Sequence, residues 1–144
     1  MYTVFLMIHS LLRWLILLSL VITIAKYLNG WLSNQSWKKM DNVLGIVFTS
    51  LMDLQLITGL ILYFFLSPVT KSAFSDFGAA MKDEGLRFYA VEHISMMLIA
   101  IVLVHIGRAK SKKGATDREK FKTALVFFLI AMLFIVMAIP WGRA

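Results

Sequence analysis

Four apolar runs, each close to the length of a bilayer crossing, leave this chain few folds to choose from. A helix needs roughly 20 apolar residues to cross a hydrocarbon core. The runs at about 3–25, 43–66, 87–107 and 123–139 approach or exceed that length. Inside lipid every backbone polar group has to be satisfied within its own segment, which makes runs of this length helices. The expected fold is therefore all-α, an antiparallel transmembrane four-helix bundle forming a single membrane domain across residues 1–144. Composition agrees, with 60% hydrophobic residues and only 16% charged ones. Residues 1–26 lack the basic start and small-residue cleavage site of a secretory signal, so the first run is expected to stay as a span.

The polar segments between the runs set the orientation. The first loop, from Lys26 to Asn42, carries Trp31, Trp37, Lys38 and Lys39, and the third, from Arg108 to Lys122, is strongly basic. Together these two loops hold ten Lys and Arg, whereas the segment Ser67–Arg87 holds three. Basic loops stay on the cytoplasmic side, which places both termini outside. The connector 69–86 mixes Phe74, Phe77 and Met81 with Lys71, Asp76 and Asp83, a pattern suited to a short helix on the membrane surface. The net charge of +7 is spent on these membrane-flanking loops and reads as an orientation signal and anionic-lipid contact, with no nucleic-acid partner.

Several chemistries are excluded outright. Cysteine is absent, which removes disulfides, thiolate metal sites and a Cys nucleophile. There is no phosphate-binding glycine loop, no HExxH and no Ser-His-Asp set with workable spacing. Metal, haem or acid–base chemistry falls to His9, His93 and His105, to eight carboxylates, or to methionine.

Ionisable residues inside spans are costly and turn toward a partner or a cavity. His9 and Arg13 lie four residues apart on one face of the first span. The second span carries Gly45, Thr49 and Asp53 at successive i+4 steps and Gln55, Gly59 and Tyr63 on a neighbouring stripe; small residues at that spacing let helices approach closely. The third span carries Glu92, His93 and His105, and the fourth has almost nothing polar and reads as a packing helix. His9 and His93 each lie about six residues in from the outer end of their spans, so at ~1.5 Å per residue both sit near ~10 Å depth. Two imidazoles at matched depth on different helices suit the axial ligation of a b-type haem. Arg13 or Arg87 would then face the propionates, and Glu92 or a backbone carbonyl would orient the imidazoles. The competing structural reading makes these histidines interhelical hydrogen-bonding residues and pairs Arg13 with Glu92 or Asp53.

His105 lies twelve residues beyond His93, ~18 Å along the helix and on another sector, which excludes it from the same iron. It is expected at the interface beside the basic loop. Asp53, near the middle of the second span, is expected to pair with Arg13, with a protonated state or a place on a proton or quinone path as alternatives. Met96 and Met97 are expected as packing.

The stretches His9-Ser10-Leu11-Leu12-Arg13-Trp14, Leu54-Gln55-Leu56-Ile57-Thr58-Gly59-Leu60, Gly78-Ala79-Ala80-Met81-Lys82-Asp83, Arg87-Phe88-Tyr89-Ala90-Val91-Glu92-His93 and Ile106-Gly107-Arg108-Ala109-Lys110 resemble a group of small bacterial four-helix membrane proteins labelled "cytochrome b". The resemblance runs across most of the chain. It implies a b-type haem protein with His9 and His93 as ligands, in the bacterial cytoplasmic membrane. The chain departs from the group at Asp53, where members often carry a histidine.

Three functions are then expected in competition. The first is electron transfer through one bis-histidine haem near the outer face, with quinol as an electron partner. The second is a haem-free accessory subunit packed against a larger respiratory or transport complex, or a homo-oligomer. The third is a small proton- or solute-handling bundle using Arg13, Asp53 and Glu92.

Overall fold

The computed structural model describes residues 1–141. Its elements are α1 (Tyr2–Leu32), α2 (Lys39–Ile61) running into a π-helical turn (Leu62–Leu66), three short helices α3 (Pro68–Ser75), α4 (Phe77–Ala80) and α5 (Glu84–Arg87), a second π-helical turn (Phe88–Glu92), α6 (His93–Lys112) and α7 (Asp117–Ala138). Four continuous helical stretches, at Tyr2–Leu32, Lys39–Leu66, Glu84–Lys112 and Asp117–Ala138, are long and apolar enough to cross a membrane. The chain is thus an all-α bundle of four span-length helices, a multi-pass membrane protein by length and composition.

Several helices begin where the sequence offers a cap. Thr116 Oγ1 accepts from Glu119 N–H at 3.1 Å ahead of α7, and Ser67 with Pro68 at the first helical position opens α3. At α2, Asp41 accepts from the Lys38 N–H at 2.8 Å and from Lys26 Nζ at 2.7 Å. That second bond ties α2 to α1, and the Tyr27 hydroxyl adds to it by donating to the Asp41 carbonyl at 2.7 Å.

These ties explain why α1 runs to Leu32, well past the apolar stretch ending near Ala25. Tyr27 and Gly30 are buried, so the final turns of α1 belong to the bundle. A Cβ at Gly30 would press into the Phe121 ring. The first loop accordingly shrinks to residues 33–38, with Asn34 in the left-handed region at φ 50°.

Around the bundle the order is α2, α1, α7, α6. The α6–α7 interface is the most extensive, α1–α2 and α1–α7 follow, and the α2–α6 seam that closes the ring is the thinnest. Gly107 allows the first of these, since a Cβ there would overlap Phe127. Side chains fill the half nearer the two short loops, where Tyr27, Phe48, Phe121 and Phe128 are buried and their rings pack together with Trp37. Gly45 admits the Arg108 guanidinium into this end, where it donates to Asn42 Oδ1 at 3.3 Å. The half nearer the α3–α5 connector is built differently, and it contains a cavity.

Candidate functional site

The cavity occupies about 480 Å³ between α1, α2 and α6, with Ile139 and Pro140 after α7 closing one side. Ligand sites typically fall at roughly 300–1,000 Å³ and sit between the helices of bundles. On α1 the lining positions are Tyr2, Leu6, His9, Ser10 and Arg13, the spacing of one helical face. On α2 they include Gln55 and Gly59, on the π-helical turn that follows it Tyr63, and on α6 His93 and Met97.

His9 and His93 meet across this space. Their ring centroids are 6.3 Å apart and the ring planes cross at 72°. Each imidazole is held through its Nδ1. His93 Nδ1 lies 2.7 Å from the Ala138 carbonyl, which can only accept, so Nδ1 carries the proton and Nε2 the lone pair. The Ala138 carbonyl is free for this because α7 ends there, leaving the last carbonyls without intrahelical donors.

His9 Nδ1 lies 3.1 Å from Thr58 Oγ1. The Thr58 hydroxyl donates back to the Gln55 carbonyl at 3.0 Å and so accepts from His9. Gln55 completes the arrangement by donating from Nε2 to the His9 carbonyl at 2.8 Å. Gly59 gives the ring its room, since a Cβ there would sit 3.2 Å from His9 Cε1. Both histidines therefore have one nitrogen anchored and, among the described residues, no hydrogen bond at Nε2.

The π-helical turns bracket the connector end of the site. In the first, Ser67 N–H reaches the Leu62 carbonyl at 2.7 Å, and in the second His93 N–H reaches the Phe88 carbonyl, both i to i+5. Such turns recur at functional sites because they interrupt the ladder and release a carbonyl. Here the Tyr63 hydroxyl donates to the Ala90 carbonyl, joining the two turns across the α2–α6 seam.

Arg13 also lines the cavity, and its Nε is buried without a hydrogen-bond partner. Its guanidinium carbon lies 5.2 Å from the Trp14 ring centroid. Among the described residues no carboxylate pairs with it.

The carboxylates expected near Arg13 lie elsewhere. Asp53 bonds His105, with Oδ1 2.6 Å from Nε2, and both side chains are 48% exposed. Asp53 follows Met52, which faces the cavity, and one residue turns the helix by about 100°, so matched depth with Arg13 does not bring the two together. The same bond gives His105 a specific partner on α2. Glu92 pairs with Arg87 at 3.7 Å, and Arg87 also donates to the Met81 carbonyl at 3.1 Å. Neither residue lines the cavity. The imidazoles are oriented by Ala138 and Thr58 instead of Glu92.

Thr58 and Ala138 escaped the sequence reading. Thr58 adjoins the Gln55–Gly59–Tyr63 stripe, which was the available signal. Ala138 contributes only its backbone, and its one sequence trace is Pro140, which stops α7 nearby.

Chemically the site offers two adjacent imidazoles whose Nε2 atoms make no hydrogen bond among the described residues, one cation that pairs with no carboxylate among them, and a wall of apolar side chains. No group of three or more His, Cys, Asp or Glu suited to a metal ion occurs among the described residues. No family model matches the chain, and no solved structure does.

Proposed function

We propose that the chain is a membrane-bound b-type haem protein of the electron-transfer class, holding one haem between His9 and His93. The carrying observation is that pair: two imidazoles from separate helices, 6.3 Å apart, each anchored at Nδ1. His9 and His93 would hold the haem iron through Nε2, the nitrogen that each leaves without a hydrogen bond among the described residues. A two-residue donor set is too small for a bare ion and suits a metal whose other ligands come from a macrocycle. When bound, such a group supplies reversible one-electron exchange.

The chain's own residues have defined tasks in this reading. His9 and His93 donate Nε2 lone pairs. Ala138 and Thr58 hold the tautomer that keeps those lone pairs available, a constraint that also raises ligand basicity. Gly59 leaves room for the His9 ring, and Tyr63 with Tyr89 closes the wall toward the connector. Arg13 is the cation placed to meet a propionate, since Arg87 is occupied by Glu92 outside the cavity. The four-helix architecture and the quoted stretches support membership of the cytochrome b-like group of small bacterial membrane proteins. The basic loops 33–38 and 113–116, with the helix ends beside them, then face the cytoplasm, both termini lie outside, and the haem sits near the outer face of the bacterial cytoplasmic membrane. Quinol is the electron partner a bilayer supplies.

The visible spectrum of the purified protein tests the reading. A sharp reduced-minus-oxidised α band is expected, lost in His9→Ala and in His93→Ala and retained in His105→Ala. A stable, colourless, metal-free preparation would refute it.

A further inference from the structure

The ring of helices is thinnest between α2 and α6, and among the described residues three side-chain hydrogen bonds cross that seam. Tyr63 to Ala90 lies at the connector end, Asp53 to His105 in the middle and Arg108 to Asn42 at the loop end. Between the first two, about ten residues or ~15 Å of α2 flank the cavity with no polar tie to α6. Met52 and Ile101, which line the cavity, are the neighbour of Asp53 and the residue one turn before His105. The Asp53–His105 pair thus lies like a sill on the α2–α6 seam, next to the cavity lining.

This sill faces outward. Asp53 and His105 are each 48% exposed, and around them Ile57, Leu98 and Val102 present apolar side chains to the bilayer. Asp53 lies near the middle of the Lys39–Leu66 stretch, about eleven residues or ~16 Å along the helix from Asn42. A carboxylate and an imidazole open to hydrocarbon at that depth require a polar partner. Each retains a free atom, since among the described residues neither Asp53 Oδ2 nor His105 Nδ1 has a hydrogen-bond partner.

The depth decides the kind of partner. Phospholipid headgroups and fatty-acid carboxylates are anchored at the interface, and a neutral hydrocarbon-soluble molecule with ring oxygens is not. With Nε2–H donated to Asp53, His105 Nδ1 accepts from a phenolic hydroxyl; in the imidazolium form Nδ1–H donates to a ring carbonyl. One pair of side chains therefore receives both the reduced and the oxidised form of the same carrier.

We propose that the Asp53–His105 sill is the binding site for the ring of a lipid-soluble quinone or hydroquinone, with its isoprenoid tail lying along Ile57, Leu98 and Val102. The geometry of the sill is independent of the cavity, and the choice of a redox carrier as its ligand rests on the electron-transfer reading.

Photolabelling of the full-length protein in mild detergent with a short-tailed azidoquinone, mapped by mass spectrometry, tests the site. Expected is saturable labelling within residues 49–57 and 98–109, displaced by an excess of unlabelled decylquinone. Asp53→Asn and His105→Gln, which keep a side-chain hydrogen bond across the seam, are expected to cut that labelling at least tenfold while eluting as the same monodisperse species. Labelling elsewhere, labelling that does not saturate, or undiminished labelling in both variants would overturn the proposal. So would efficient disulfide cross-linking of Leu54→Cys between two copies that quinone fails to suppress, because a second copy would then cover the sill. Haem content measured on the same samples separates the two readings. Site-specific labelling of haem-free protein leaves the sill and removes the cytochrome, and haem-replete protein without labelling does the reverse.

Discussion

Gly59→Ala isolates the His9–His93 geometry from the stability of the bundle, because its two effects have opposite signs. Gly59 lies within α2, where alanine is the better helix former by about 1 kcal/mol. On secondary structure alone the substitution is stabilising. The new methyl carbon, however, would sit 3.2 Å from His9 Cε1, inside ordinary van der Waals contact. His9 is tethered at Nδ1 by Thr58 and cannot rotate freely, so the ring must yield by a few tenths of an ångström, and with it the Nε2 that would hold the proposed haem.

Perturbing the support of a metal-ligating histidine typically costs 10–100-fold in affinity. A displacement this small belongs at the lower end, about tenfold or ~1.4 kcal/mol. The assay is haem loss to an excess of apomyoglobin, followed by decay of the Soret band, alongside thermal melting of haem-stripped protein. Expected is a tenfold faster loss together with a melting temperature no lower than that of the parent. Gly78→Ala is the control, since its nearest neighbour would be Asp76 Oδ1 at 3.9 Å, and it should leave haem retention unchanged. Unaltered haem loss in Gly59→Ala, or a fall in both quantities, would show that Gly59 does not make room for a ligating ring.

Other substitutions probe separate parts of the structure. Thr58→Val removes the acceptor for His9 Nδ1 while preserving shape, and should weaken haem retention by 10–100-fold with a broadened α band; normal retention would place the tautomer control elsewhere. Asp41→Ala strips a fully buried carboxylate from Lys26 and from the Lys38 N–H. Because Lys26 keeps some contact with solvent, the expected loss is about 1–3 kcal/mol, read from the midpoint of unfolding in mixed detergent–SDS micelles. Gly107→Val drives a branched side chain into Phe127 at the α6–α7 interface. It should lower the same midpoint by about 1–3 kcal/mol, with no specific effect on any bound chromophore that survives.

The fold was legible because lipid leaves apolar runs of this length one conformation. The helix ends were less so: α1 continues to Leu32 through polar residues because Tyr27 and Gly30 are held by tertiary contacts that no hydropathy profile records. At the site, depth could be read from residue counts, and it put His9 and His93 on a common level. Direction around the helix was harder, and Asp53 shows why. At a suitable height for Arg13, it sits about 100° from the cavity-facing Met52 and finds His105 instead. Backbone acceptors are harder again, since the Ala138 carbonyl belongs to a helix whose side chains carry almost no polar signal.

The two π-helical turns give this architecture a tolerance in chain length. A π turn spends one residue more than the α-helix it interrupts, so deleting one residue within Leu62–Leu66 or Phe88–Glu92 would let the helix close regularly while the segments on either side kept their facing. A deletion inside α6 between His93 and His105 has no such slack. It would swing everything on one side of it by about 100°, parting either His93 from His9 or His105 from Asp53. Length variants of this protein should therefore accumulate at the connector end of α2 and α6, and the stretch from His93 to His105 should hold a constant count.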